Sequence, residues 1–96
     1  MEKKVIFTKE GRDDLEDIFF DIDKFSSKYA IEWSDKVFEK IELLAKFPYM
    51  GRFVPEIRIE SIREIFVGQY RVIYEVRQDK IEIIAIKSGR KSLSEK

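Results

Sequence analysis

Cysteine and histidine are both missing from the 96 residues. Without cysteine there can be no disulfide and no thiolate-ligated metal. Without histidine the chain loses the commonest general base, the commonest metal ligand, and any Ser-His or Cys-His nucleophile system. Neither a cofactor nor a metal is expected. No apolar run approaches the length that spans a bilayer, and the N-terminus carries no charged-then-apolar leader, so a cytoplasmic location without membrane association is expected. Net charge is also absent, with 19 basic and 19 acidic side chains. The balance hides an asymmetry: residues 1–60 sum to −3 and residues 61–96 to +3. From Lys87 onward Lys87, Arg90, Lys91 and Lys96 face only Glu95. A basic tail of this kind, from about residue 88, meets phosphate or an acidic protein segment, or merely solubilises the chain.

The length suits one domain, residues 1–96, with a single modest core. Its most informative stretch runs from Ile62 to Lys91. IREIFV, YRVIYEV and KIEIIAIK are rich in Ile, Val, Tyr and Phe, and read as three antiparallel strands. Gly68-Gln69 suits a two-residue type II′ hairpin turn, and Gln78-Asp79 closes the second hairpin. With both turns that tight, Val67 pairs with Tyr70, Phe66 with Arg71, Tyr74 with Ile83, Arg71 with Ile86 and Arg77 with Lys80. Alternation then gives one apolar face, including Ile65, Val67, Val72, Tyr74, Ile81, Ile83 and Ala85. The other face, with Glu64, Phe66, Arg71, Ile73, Glu75, Glu82, Ile84, Ile86 and Ser88, is half apolar and half charged. It makes a poor core and is expected to be an open binding surface centred on Arg71.

Upstream, Lys3 to Phe7 is a strand candidate and Thr8 a helix N-cap. Leu15, Ile18, Phe19, Ile22 and Phe25 recur at helical spacing from about Lys9 to Phe25. Ser26 and Ser27 stop this helix and cap the next, whose stripe is Ala30, Trp33, Val37, Ile41 and Leu44. Phe47-Pro48 ends it, because proline disfavours helix in the residue before it. So short a connection makes the helices an antiparallel hairpin. The expected fold is a two-layer α+β domain: N-terminal strand, helical hairpin, then a three-stranded antiparallel meander, with Leu15, Ile18, Trp33, Ile41, Tyr74 and Ile83 largely buried between layers.

The hairpin, the loop P-Y-M-G-R-F-V-P-E and the run I-R-E-I-F-V-G-Q-Y-R-V-I-Y-E-V together resemble the RelE/ParE toxin superfamily of bacterial toxin–antitoxin systems. The resemblance spans Val5 to about Leu93 and rests on Pro48-x-x-Gly51, Pro55-Glu56, Arg63 and Tyr70–Tyr74 at these spacings. It implies an antitoxin partner. It also implies one of two activities on one fold, so the site must decide between them. ParE-like members bind DNA gyrase, and RelE-like members cut mRNA on the ribosome. The even hairpin and the Pro-x-x-Gly loop look more like the ParE branch.

RNA cleavage needs a base, an acid and cations for the phosphate. By resemblance Arg71 matches a strand arginine that contacts phosphate in RNA-cutting relatives, Glu56 a general base of some of them, and Lys91 a tail cation. An alternative for Arg71 is pairing with Glu64, Glu75 or an antitoxin carboxylate, and for Glu56 simple solvation. Ser88, in Lys87-Ser88-Gly89-Arg90-Lys91, stands where many relatives have His, and a hydroxyl is no substitute for imidazole as an acid near neutral pH. Arg63 is expected to cap the sheet against helix carboxylates. The expected binding set is therefore Arg63, Arg71, Glu75, Ser88, Arg90 and Lys91. A neutral chain also lacks the positive field that usually draws a protein to ribosomal RNA. The resemblance, with these departures from it, thus implies a gyrase-binding toxin without catalysis, the alternatives being an mRNA endoribonuclease using Arg71, Lys91 and Glu56, or a protein that only binds an antitoxin-like peptide.

Overall fold

The computed structural model describes residues 2–89. In chain order its elements are β1 (Lys4–Phe7), α1 (Lys9–Asp23), α2 (Ser27–Lys46), β2 (Arg52–Phe53), β3 (Ile62–Val67), β4 (Tyr70–Val76) and β5 (Lys80–Ser88). The strands form one sheet in the order β1-β5-β4-β3-β2. The last three strands are the expected antiparallel meander, and β1 adds parallel to β5 at one edge. At the other edge the short β2, read from sequence as loop, pairs with β3 through Arg52–Glu64 and Phe53–Arg63.

Local chemistry starts each helix. The Thr8 hydroxyl accepts from the Gly11 N–H and donates to the Ile83 carbonyl, which also accepts from the Thr8 N–H at 3.0 Å. One residue thereby caps α1 and fastens it to β5. Ser26 caps α2 through the Tyr29 N–H. Helix α1 stops at Asp23, two residues short of Phe25. Phe25 therefore leaves the apolar stripe and is 93% exposed.

Helix α2 buries Ala30, Trp33, Val37 and Leu44. With Val72, Tyr74, Ile81, Ile83 and their neighbours, the last three form the core between hairpin and sheet. Trp33 Nε1–H donates to the Val67 carbonyl at 3.2 Å, and its ring meets Tyr70 edge-on. Leu15, Ile18 and Ile41 pack at the margin and are only partly buried.

The first hairpin has the expected register, from Val67–Tyr70 to Phe66–Arg71. Gly68, with φ +62°, is the only central turn residue in the left-handed region, as a type II′ turn requires. The second hairpin corrects the expectation. Tyr74 faces Ile83, but Ile73 faces Ala85, so Ile84 is an extra residue in β5. This bulge reverses the alternation beyond it. Arg71 pairs with Lys87 rather than Ile86, and Ile86 takes the core position expected of Ala85. Among the described residues no helix is long and apolar enough to cross a membrane.

Candidate partner-binding face

The face opposite the helices is not open at its centre. Arg71 is 4% exposed, Glu64 1% and Ile73 1%. Cross-strand geometry explains the first two: with Phe66 opposite Arg71, Glu64 is the diagonal neighbour of Arg71 on the same face. Arg71 Nε donates to Glu64 Oε1 at 2.7 Å. Its two terminal nitrogens donate to the two oxygens of Glu56, at 3.0 and 2.8 Å, in a fork-to-fork pair. Glu64 Oε2 in turn accepts from Arg52 Nε at 2.6 Å. The result is an alternating ladder, Arg52–Glu64–Arg71–Glu56, two charges of each sign.

Glu56 thus lies in a loop that bends over the sheet, and it is not merely solvated. The Arg71 pKa is raised, chiefly by the Glu56 hydrogen bonds. Burial opposes that rise, and the bonds and charge of Glu64 add to it. Every type of guanidinium nitrogen is directed at a carboxylate, so the fork that would grip a phosphate is already occupied.

The other expected residues disperse. Glu75 pairs with Arg77, not Arg71. Ser88 stands opposite Tyr70, on the helix side, because of the bulge. Arg63 meets no helix carboxylate. It donates to the carbonyls of Glu60 and Gly51, and its guanidinium lies between the rings of Tyr49 and Phe53, 5.1 and 4.3 Å from their centroids. Arg90 and Lys91 lie outside the described residues. Lys87 reaches across to Asp14, whose carboxylate also accepts the Ile86 N–H on the edge of β5 beyond β1. Among the described residues no acidic cluster is arranged to hold a metal ion.

Gly51, in the Pro-x-x-Gly loop, has a packing role. A methyl there would stand 2.6 Å from the Glu64 carbonyl oxygen and 2.7 Å from the Tyr74 hydroxyl. That hydroxyl is buried and accepts the Gly51 N–H at 3.0 Å. Burial pushes the Tyr74 pKa up.

Sequence reading missed the aromatic side of this region. Phe47, Tyr49, Met50, Phe53, Ile59 and Phe66 are each 42–60% exposed. Arg52 stacks over Phe66, 5.2 Å from its centroid, as Arg63 does on its two rings. The signal available was the density of large apolar residues from Phe47 to Ile59, outside any periodic element.

A family model described as ParE toxin of type II toxin–antitoxin system, parDE, matches residues 5–93. The chain belongs to the ParE toxin family. Among solved structures it is similar to a chain from the chromosomal ParDE TA system of P. aeruginosa, with a TM-score of 0.74 and 16% identity. That similarity covers 91% of this chain and 96% of the other. At so low an identity it speaks for the fold alone. No curated protein sequence matches the chain. ParE family membership carries with it an antitoxin partner.

Proposed function

We propose that this ParE toxin acts in the cytoplasm by binding a protein target, DNA gyrase, without chemistry of its own, and that a cognate antitoxin neutralises it by direct binding. The observation that carries this reading is the occupied Arg71. Its guanidinium is buried and forked onto Glu56, with Glu64 behind it. A phosphate would have to displace a bidentate carboxylate before that cation could stabilise developing charge. No histidine exists to move the protons of a ribose attack, and Ser88 faces away from Arg71.

The test is a pair of assays on the purified chain. Gyrase with supercoiled or relaxed plasmid should lose supercoiling activity or accumulate cleaved DNA, and either effect should vanish when antitoxin is added. A translating extract should keep its message intact. Message cut at codon positions, together with unaffected gyrase, would refute the proposal and favour the endoribonuclease. Growth arrest with neither effect would refute gyrase as the target.

A further inference from the structure

Beside the Arg63 stack lies a groove of about 380 Å³ lined by Phe53, Pro55 and Arg58. Its size suits one large apolar side chain. Arg58 is unusual in its backbone. Its φ is +58°, the only non-glycine in the left-handed region among the described residues. That conformation is strained for a side chain with a Cβ, and glycine would adopt it freely. Arg58 also enters no ion pair among the described residues, as is true of Arg12 and Arg63 but not of Arg52, Arg71 and Arg77, so its charge is left for a partner. An exposed arginine held in a costly backbone conformation at the lip of an apolar groove has the form of a recognition residue.

Charge distribution says what the groove would recognise. Residues 46–63 carry four basic and two acidic side chains, net +2, whereas the helical stretch 9–45 carries six basic and eleven acidic, net −5. An acidic segment is repelled by the helical layer and attracted here. The aromatic and arginine composition is that of a protein interface core. The local charge is too small, and too interrupted by Glu56 and Glu60, for a nucleic-acid backbone track.

We infer that the groove at Phe53, Pro55 and Arg58 is a docking site for an acidic segment of the antitoxin, with one aromatic or aliphatic side chain in the groove and a neighbouring carboxylate on Arg58. This rests on the antitoxin-binding part of the proposed function and names its surface.

Arg58→Gly separates recognition from folding. It relieves the backbone strain, so the melting midpoint should rise by about 2–4 °C. Binding should nonetheless weaken. The first probe is the peptide acetyl-Glu-Asp-Leu-Phe-Asp-Glu-amide, titrated to millimolar concentration into the ¹⁵N-labelled chain. Amide shifts should map to residues 53–59, weaken about five-fold in Arg58→Gly, and be lost when the two apolar residues of the peptide become alanine. No shift at residues 53–59, an equal response to the alanine peptide or to a single-stranded RNA hexamer, or unchanged binding by the variant would each overturn the inference.

The second arm measures the full chain with its antitoxin. A dissociation constant raised about five-fold or more by Arg58→Gly supports the assignment. An unchanged constant overturns the antitoxin as occupant and leaves antitoxin binding itself standing. Absence of any complex with the unaltered chain would overturn the function reading, and this one with it.

Discussion

Gly11→Ala reverses the sign that helix propensity gives. Within a helix, alanine is more favourable than glycine by about 1 kcal/mol. Gly11 lies in the first turns of α1, where such a change normally stabilises. Here a methyl would overlap the Ile83 carbonyl oxygen and stand 3.0 Å from its carbon. Both are backbone atoms of a central core strand and cannot swing aside. The helix would have to retreat by roughly 1 Å to restore van der Waals contact. That movement stretches the two Thr8 bonds to Ile83, of 3.0 and 3.2 Å, and the Asp14 bond to the Ile86 N–H, of 2.9 Å. At about 0.5–1.5 kcal/mol each, their loss outweighs the gain in propensity. Loosened packing of Leu15 and Ile18 adds to the cost. We expect a net loss of about 2–3 kcal/mol. Urea unfolding followed by tryptophan fluorescence would measure it, with Glu10→Ala as a control in the same turn. A Gly11→Ala chain as stable as the parent, or more so, would refute the close approach of α1 to β5.

Trp33→Ala should cost about 3–5 kcal/mol in the same assay, because the ring is enclosed and its N–H bond to Val67 is lost. A loss under about 1 kcal/mol would show the ring to be outside the core. Glu64→Ala should cost about 3–5 kcal/mol by leaving Arg71 buried with one partner fewer, and a near-neutral result would place that carboxylate in water. Burial raises the Tyr74 pKa above its ordinary 10.0, so the folded state holds this proton longer than the unfolded chain does. The Tyr74 contribution is therefore complete below pH 10 and is lost as pH rises from there through the folded value. Alkaline unfolding should accordingly be shallower in Tyr74→Phe than in the parent, and identical slopes would show the hydroxyl to be exposed.

Periodicity made four of the five strands, the helices and their caps legible, because each rests on local chemistry: Thr8 and Ser26 as caps, Pro48 as a stop, Gly68 at a turn; the two-residue β2 is too short to carry a period. The β5 bulge was not legible. It depends on how β5 bends to meet both β4 and α1, and nothing in KIEIIAIK marks Ile84 as the extra residue. That one residue moved Ile86 into the core and Ser88 to the helix side. The pairing of Arg71 with Glu64 could be read from register alone. The second partner, Glu56, could not, because it comes from an irregular loop whose path over the sheet depends on tertiary contacts. Arg58 gave no signal at all. A left-handed position is read from glycine or asparagine, and here the sequence has arginine.

The ladder around Arg71 changes what a mutation there would mean. Arg71→Ala would leave Glu64 buried beside Glu56 with its principal cation gone, so lost toxicity in that variant would report unfolding as readily as a missing functional charge. Replacing both buried members with apolar residues of similar volume, Arg71→Met with Glu64→Leu, removes the charge without stranding it. Such swaps are often neutral in stability. The two remaining members can hydrate: the Arg52 side chain is 59% exposed and that of Glu56 23%. If Arg71 is a strut, the double variant should fold, bind antitoxin and arrest growth when expressed alone. If its charge contacts the target, the double variant should fold and bind antitoxin, yet leave growth unaffected. The single variants cannot draw this distinction, because each removes one charge of a buried pair and strands the other.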